Sequence, residues 1–406
     1  MLLVQIACNK AKDAPALIDK IVLNELEDFE DSVKLTWSGL NNVGFNEYII
    51  YRWADQISDP FYADVIARIE DVNVTSFIDN EPPHTTNLEY QVVGLRWLED
   101  PIFSNKQELI RNDIVNLEIS PFDMLHDKNQ NLIYFIEESG IISIYDYSID
   151  KIIKTIDTQA ELGYSALGFH NNKNELYVPR NDGFVFIYDA NTLQKIDQID
   201  VGLYASSVVY NDGKLFISNG NALSKVFDRD TKSILEYFGD NRSTRLKLIP
   251  NSNTEIVEIT LYIHSPTEID YYSFDESGQE INHINDRYNG DYPLDAKIFN
   301  IFPSGSKIIT SKKGAIYTKS LTYESSLPPS NFVFSSFAFS NDNNYILGGH
   351  TDNKSIEKFS TTDYTHQGSY ETVGFSLQLF VNDKIISVSK PLETWQGKIF
   401  IEKIEF

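Results

Sequence analysis

Residues 165–199 read SALGFHNNKNELYVPRNDGFVFIYDANTLQKIDQI, and this stretch decides the fold. It contains four short apolar runs, at 165–170, 176–178, 184–188 and 195–199, separated by turns rich in Asn, Asp and Gly. Short runs of β-branched and aromatic residues between such turns are typical of strands joined by hairpins. The stretch therefore predicts one antiparallel sheet of four strands.

The same pattern recurs from about residue 113 to the C-terminus. Each repeat has an apolar first strand, a polar turn, a second strand, a turn that often contains Gly, a third strand and usually a fourth. Seven repeats fit, and their first strands begin near Phe122, Ser165, Ser206, Arg245, Ala296, Ser335 and Ser376. Four short strands per ~40 residues are typical of propeller blades. Residues 112–406 thus predict an all-β, seven-bladed β-propeller.

The last repeat, within residues 376–406, has three strands rather than four. Another apolar segment, residues 113–119, precedes the first repeat. An open ring of blades would leave two sheet edges unpaired, and unpaired edges are prone to aggregation. We therefore predict that strand 113–119 is the outer strand of the last blade and closes the propeller.

One turn in the repeats is similar to that of a known propeller family. Residues 188–193, Tyr-Asp-Ala-Asn-Thr-Leu, form an acidic turn between a third and a fourth strand. This segment resembles the YVTN-type propeller repeat, whereas the WD dipeptide of another large propeller family is absent. The resemblance implies a YVTN-like propeller protein.

Residues 19–111 alternate apolar and polar side chains in short runs with frequent turns, which predicts a β-sandwich. Trp37, Tyr48 and the sequence LEYQV at residues 88–92 resemble the fibronectin type III family. The resemblance implies that Trp37 is a core residue. It also implies that Tyr90 is a corner residue whose hydroxyl bonds to the backbone.

The charge and cysteine content restrict the partners and cofactors. The chain has 59 Asp and Glu against 34 Lys and Arg, a formal net charge of −25, so we expect no nucleic-acid binding. Cys8 is the only cysteine in the sequence, so an internal disulfide and a thiolate metal cluster are both excluded. No motif typical of a metal or cofactor site is present, and none is expected.

Residues 1–18 resemble the end of a bacterial lipoprotein signal followed by a tether. The segment MLLVQIAC is a short apolar run that ends in a small residue and Cys8. In lipoproteins such a cysteine carries the lipid. The resemblance implies a bacterial cell-envelope protein, in the outer membrane or the periplasm, whose membrane contact is a lipid anchor at Cys8.

Aromatic residues precede most of the first strands, while one repeat has arginines instead. In a propeller, the loops that lead into the first strands and the loops between second and third strands open on one face. Aromatic rings and arginines together suit a sugar or a small anion. The candidate ligand-binding residues are Tyr164, Tyr204, Arg242, Arg245, Tyr292, Phe375 and Trp395. The alternative is that rings such as Phe122 and Phe334 only wedge adjacent blades together.

The sequence contains no nucleophile elbow, P-loop or HExxH motif, so it favours binding over catalysis. The first hypothesis is an envelope-anchored protein whose propeller face captures a glycan, a peptide or a protein partner. Two alternatives stay open: a propeller enzyme of the lactonase or of the polysaccharide lyase or hydrolase type, and an adhesion scaffold.

Overall fold

The structure is a computed structural model. It describes residues 20–29, 32–54, 63–111, 113–220, 222–240, 243–261, 266–288, 290–391 and 397–406. The chain divides into two compact units, Met1–Asn112 and Asp113–Phe406. The described residues form strands and turns and contain no helix. They therefore contain no helix that is long and apolar enough to cross a membrane.

Two sheets form the N-terminal unit. Its strands are β1 (Glu27–Phe29), β2 (Ser32–Thr36), β3 (Phe45–Ala54), β4 (Asp64–Ile69), β5 (Ser76–Asp79), β6 (Asn87–Arg96), β7 (Ile102–Phe103) and β8 (Gln107–Ile110). One sheet has the order β1-β2-β5, and the other has the order β4-β3-β6-β7 with β8 also paired to β6. The alternating apolar residues of both sheets face a common core, as expected for a sandwich.

Trp37 and Tyr90 are both buried in this core. The Trp37 ring lies 5.5 Å from the ring of Tyr48 in an edge-to-face contact, as predicted for a core residue. The prediction that Tyr90 bonds to the backbone is wrong, because its hydroxyl donates to Oδ2 of Asp79 at 2.9 Å. A buried carboxylate is a stronger acceptor than a carbonyl, and Asp79 is held in place by Arg52 at 2.9 Å. The relationship of this unit to the fibronectin type III family stays a prediction.

The second unit begins with β9 (Val115–Leu117). Four sheets follow, with strands β10 (Asp123–Asp127), β11 (Leu132–Ile136), β12 (Ile141–Asp146), β13 (Lys151–Asp157); β14 (Ala166–His170), β15 (Lys173–Pro179), β16 (Phe184–Asp189), β17 (Lys195–Asp200); β18 (Ala205–Asn211), β19 (Lys214–Asn219), β20 (Ser224–Asp228), β21 (Ile234–Phe238); and β22 (Thr244–Leu248), β23 (Glu255–Thr260), β24 (Ile269–Phe274), β25 (Glu280–Ile284). The last three sheets contain β26 (Phe299–Ile301), β27 (Lys307–Thr310), β28 (Ala315–Thr318), β29 (Tyr323–Ser326); β30 (Phe334–Phe339), β31 (Tyr345–His350), β32 (Ser355–Ser360), β33 (His366–Glu371); and β34 (Phe375–Val381), β35 (Ile385–Lys390), β36 (Ile399–Ile404).

The described part of this unit therefore contains seven antiparallel four-stranded sheets, because β9 completes the seventh in the order β34-β35-β36-β9. Ile399, Phe400 and Ile401 pair with Leu117, Asn116 and Val115. The pairing confirms the strand predicted within 113–119, although the strand itself is shorter than the predicted segment.

Each pair of consecutive sheets shares an apolar core. The first and second sheets, for example, bury Tyr134 and Leu176 in one cluster. The seventh and first sheets do the same, with Val388 and Phe135 in a common cluster. Because the last sheet packs on the first, the seven sheets form a closed ring in which burial of apolar surface holds each sheet to its neighbours.

The first strand of every sheet lines the centre of the ring. Two adjoining cavities, of about 150 and 270 Å³, are lined by residues from β10, β14, β18, β22, β26, β30 and β34. Met124, Arg245 and Lys247 line both cavities. We call this space the central channel. The front face is the side of the ring at which the first strands begin, and the rear face is the opposite side.

Asparagine side chains link neighbouring sheets at the rear face. The Asn211 amide donates to the carbonyl of Ser252 at 2.9 Å, from the third sheet to the fourth. The Asn382 amide donates to the Tyr147 hydroxyl at 2.9 Å, from the seventh sheet to the first. Asn is favoured in tight turns, so one residue type both shapes the turn and joins two sheets.

Candidate binding site in the central channel

Arg245 lies at the front end of the central channel and contacts the Tyr164 ring. Its Cζ atom is 4.0 Å from the centroid of that ring, a cation–π distance. Its Nη2 donates to Oδ1 of Asp123 at 3.1 Å. The other oxygen of Asp123 accepts the backbone N–H of Ser165 at 3.0 Å, so the carboxylate joins the first and second sheets.

The guanidinium of Arg245 also reaches the fifth sheet. Nη1 donates to the carbonyls of Ala296 and Lys297, at 3.2 and 3.0 Å. Since the residue itself belongs to β22, one side chain connects strands or loops from the first, second, fourth and fifth sheets. Several fixed acceptors hold a planar guanidinium in a single orientation. Arg245 is therefore a rigid positive group at the channel mouth.

Lys247 follows two positions along β22, and period-two geometry directs it to the same side of the strand. Its Nζ donates to Oδ1 of Asn300 at 3.4 Å and lies 5.1 Å from the Phe299 ring centroid. Burial and then the charge of Arg245 lower the pKa of Lys247 to about 7, although Asp123 acts in the opposite direction. Among the described residues no carboxylate lies within ion-pair distance of this ammonium.

The lining of the channel is positive in a chain that is strongly negative. Arg245, Lys247 and Lys297 are its cations, and Asp123 is the one carboxylate among the described lining residues. The chain as a whole has a formal charge of −25. A low-dielectric space lined by one sign of charge concentrates ions of the other sign. The arrangement suits an anionic group.

Comparison with solved structures found many similar chains. A crystal structure of the RRP9 WD40 repeats has a TM-score of 0.56 and 12% identity, and the match covers 72% of this chain and 97% of that one. A structure of U3-55K has the same TM-score and identity, and the match covers 72% and 98%. The C-terminal unit has a β-propeller fold. At this identity the likeness concerns the fold alone; no family model and no curated protein matches the sequence.

The propeller brings Tyr164 and Arg245 together, as the sequence suggested for residues on one face. Tyr164 is buried, and burial raises its pKa to about 12. Phe122 packs against it with ring centroids 5.3 Å apart. The ring of Tyr164 is therefore a support for Arg245 as well as a wedge between the first two blades.

Tyr204 lies at the front face of the third blade, just before β18, and is outside the described channel lining. Its ring lies over Gly220, where any Cβ atom would approach the ring to 2.4 Å. The side chain is 38% exposed. Tyr204 is thus partly exposed beside the channel and not inside it.

Tyr292 and Phe375 do not join Arg245. Tyr292 stacks on Tyr323 of β29, with ring centroids 3.9 Å apart, at the outermost strand of the fifth blade. The connection from β25 to β26 is long, and it allows the aromatic residue to pack away from the channel mouth. Phe375 is half-buried at the start of β34, where it pairs with Lys390. Arg242, Trp395 and Cys8 lie outside the described residues.

Sequence reasoning missed Asp123, Lys247 and Asn300. The signal for Lys247 was present, because Arg245 and Lys247 alternate in a first strand and must share a side of it. Asp123 and Asn300 come from other blades, and only the closed ring brings them to the fourth blade.

Proposed function

We propose that the propeller is a binding module that holds a protein partner on its front face, beside the channel mouth. The observation that carries this proposal is a group of exposed apolar side chains in the front loops of the third blade. Leu203, Tyr204 and Leu223 are 48%, 38% and 38% exposed. Clustered exposed leucine and tyrosine side chains favour protein–protein contact, because aromatic anchors contribute most of the binding free energy in interfaces.

The fold and the charge support the same proposal. The front loops of successive blades lie on one scaffold, and loops on a rigid scaffold are common binding positions. A net charge of −25 attracts a basic surface and speeds its association at low salt. We therefore propose that the surface of the partner is neutral or basic. The alternative ligands suggested by the sequence are a glycan or a peptide that binds through Tyr204.

We also propose that Cys8 anchors the protein to the bacterial envelope, and that the N-terminal unit is a fibronectin type III-like spacer. The resemblance of residues 1–18 to a lipoprotein signal supports the anchor. Expression in a bacterium that processes lipoproteins, followed by membrane fractionation, tests it. The full chain is expected in the membrane fraction and the Cys8→Ser variant in the soluble fraction; equal distribution of both would contradict the anchor.

The partner proposal is tested with full-length protein as bait in an envelope extract. Tyr204→Ala is expected to reduce the captured partner by at least tenfold, because a central aromatic anchor contributes more than about 1.4 kcal/mol. Tyr237→Ala is the matched control, since Tyr237 is an exposed tyrosine, at 52%, on the outer strand β21 of the same blade. Equal capture by the wild type and the Tyr204 variant would rule out this face.

A further inference from the structure

The channel contains a half-buried ammonium that the protein itself does not neutralise. Lys247 has three N–H donors, and among the described residues its one acceptor is the Asn300 side chain at 3.4 Å. The nearby carboxylate, Asp123, is already bonded to Arg245 and to the Ser165 N–H. An enclosed charge without a counter-charge is unfavourable, and an apolar side chain of the same length would avoid that cost.

We infer that the central channel binds a small molecule with a carboxylate or phosphate group, and that Lys247 is the residue that binds this oxyanion. The inference goes beyond the proposed function, because the channel lining does not include the exposed side chains of the third blade. The oxyanion supplies acceptors to the two remaining donors of Lys247. It also supplies the counter-charge that the channel lacks.

The groups around Lys247 suit an oxyanion of modest size. Arg245 and Lys297 add positive charge to the same cavity, and the amides of Asn300 and Gln378 can donate hydrogen bonds. Ser336 also belongs to the lining of this cavity.

Phe299, Phe337 and Phe380 belong to the lining of the same cavity, and their side chains are largely buried between the blades. Apolar walls lower the local dielectric and strengthen the attraction between an ammonium and an oxyanion. A small organic acid or a phosphate monoester therefore matches the cavity better than a polymer does, since the two cavities measure about 150 and 270 Å³.

Binding couples to protonation. The charged groups that face Lys247 are Arg245 on its own strand, Asp123 from β10 and Lys297 before β26. Burial and the charge of Arg245 lower the pKa of Lys247 to about 7 in the free protein, so its charge is sensitive to pH in the neutral range. An oxyanion favours the charged form and raises that pKa. Binding therefore takes up protons near pH 7, and affinity falls as the pH rises from 6 to 8.5.

Titration calorimetry with full-length protein, using inorganic phosphate and succinate as separate probes, tests the inference. At least one probe is expected to bind with a Kd below about 10 mM, tenfold or more weakly at pH 8.5 than at pH 6. Binding of succinate alone would show that the channel binds a carboxylate group, and binding of phosphate alone would show that it binds a phosphate group. Absence of binding of both probes up to 10 mM at pH 6 would overturn the inference.

Three variants test whether the probe binds to Lys247 in the channel or to lysines elsewhere on the protein. Lys247→Met removes the charge and keeps the length, and it is expected to weaken binding at least tenfold. Lys247→Arg keeps a charge that does not titrate near pH 7, so it is expected to retain binding and to lose the pH dependence between 6 and 8.5. Lys154→Met, at an exposed position on β13, is the matched control and should behave as the wild type. Unchanged affinity in folded Lys247→Met protein would overturn the assignment.

Discussion

Ser218 and Ser389 occupy the same position in two blades, the fifth residue of a second strand, and both side chains are fully buried. Their surroundings differ. The Ser218 oxygen accepts a hydrogen bond from the N–H of Thr244 at 3.0 Å and lies 2.8 Å from the hydroxyl of Thr244. The Ser389 hydroxyl has no partner among the described residues. A buried hydroxyl is stabilising only when it is bonded, so identical residues have opposite effects.

Alanine substitutions at these serines should therefore change stability in different directions. We expect Ser389→Ala to leave the free energy of unfolding unchanged or to raise it by up to about 1 kcal/mol, because an unsatisfied polar group is removed. Ser218→Ala should lower it by about 1–3 kcal/mol, because the buried N–H of Thr244 loses its acceptor. Urea unfolding of residues 113–406 followed by circular dichroism measures both. Equal losses would show that the Ser389 hydroxyl is bonded.

At this scale the sequence predicts burial better than contacts. The alternating apolar positions of the repeats were expected to be core residues, and Tyr134, Tyr177 and Phe216 are fully buried. The partner of a polar side chain depends on the neighbouring blade, which lies about 40 residues away in sequence. Repeat analysis therefore could not separate Ser389 from Ser218, or indicate that Arg245 bonds to Asp123.

Single elements show how turn chemistry follows from sequence. The acidic turn predicted at 188–193 is present: Asp189 accepts the N–H groups of Asn191 and Thr192, at 3.1 and 2.9 Å. The same arrangement recurs at Asp228 in the next blade, which bonds the N–H of Thr231 at 2.7 Å. Such turns are local, so sequence alone defines them. Membership of the YVTN family stays a prediction.

The pair of strands β23 and β24 places two carboxylates opposite each other. Glu258 and Asp270 are direct register partners. Burial, and next the charge of Asp270, raise the pKa of Glu258 to about 8, while burial raises the pKa of Asp270 to about 7. Thr244 and Tyr272 donate hydroxyl hydrogen bonds to Glu258. As the pH rises, the carboxyl groups of Glu258 and Asp270 therefore lose their protons at a higher pH in the folded propeller than in the unfolded chain.

This pair should make stability fall as the pH rises. Between about pH 5 and 8 the folded state binds more protons than the unfolded state, so the free energy of unfolding decreases with pH. Glu258→Gln removes the charge at similar size. We expect the variant to match the wild type at pH 5 and to exceed it by about 1–3 kcal/mol at pH 8.

Urea unfolding at both pH values measures this effect, and Glu280→Gln, at an exposed position on β25, serves as the control. In the control variant the free energy of unfolding should decrease between pH 5 and pH 8 by the same amount as in the wild type. A wild type whose stability is constant from pH 5 to 8, with no gain in Glu258→Gln at pH 8, would contradict the prediction.

The closed ring is the feature of the whole molecule that the sequence predicted most completely. The number of repeats and the incomplete last repeat together indicated that 113–119 joins the seventh blade, and β9 does pair with β36. What the repeats could not predict was the path of a long connection. Tyr292 begins a repeat as other aromatics do, yet the segment before β26 carries it to Tyr323 on the outer strand.

Removal of β9 should destabilise the propeller, whereas removal of the unit before it should not. A chain without residues 1–112 is expected to keep the thermal midpoint of the propeller transition. A chain without residues 1–119 should unfold at least 5 °C lower and associate with increasing concentration, because the edge of β36 is unpaired. Calorimetry and light scattering distinguish these outcomes, and identical midpoints for the two truncations would contradict a closing role for β9.

The pairing of β9 with β36 also sets an order of events during synthesis. Residues 115–117 leave the ribosome well before their partners at 399–401, which follow them by 399 − 117 = 282 residues. At about 5–20 residues per second the delay is on the order of tens of seconds. During translation the nascent chain therefore carries an apolar segment without its partner. Chaperones have that time to bind the segment before β36 is made and the ring of blades can close.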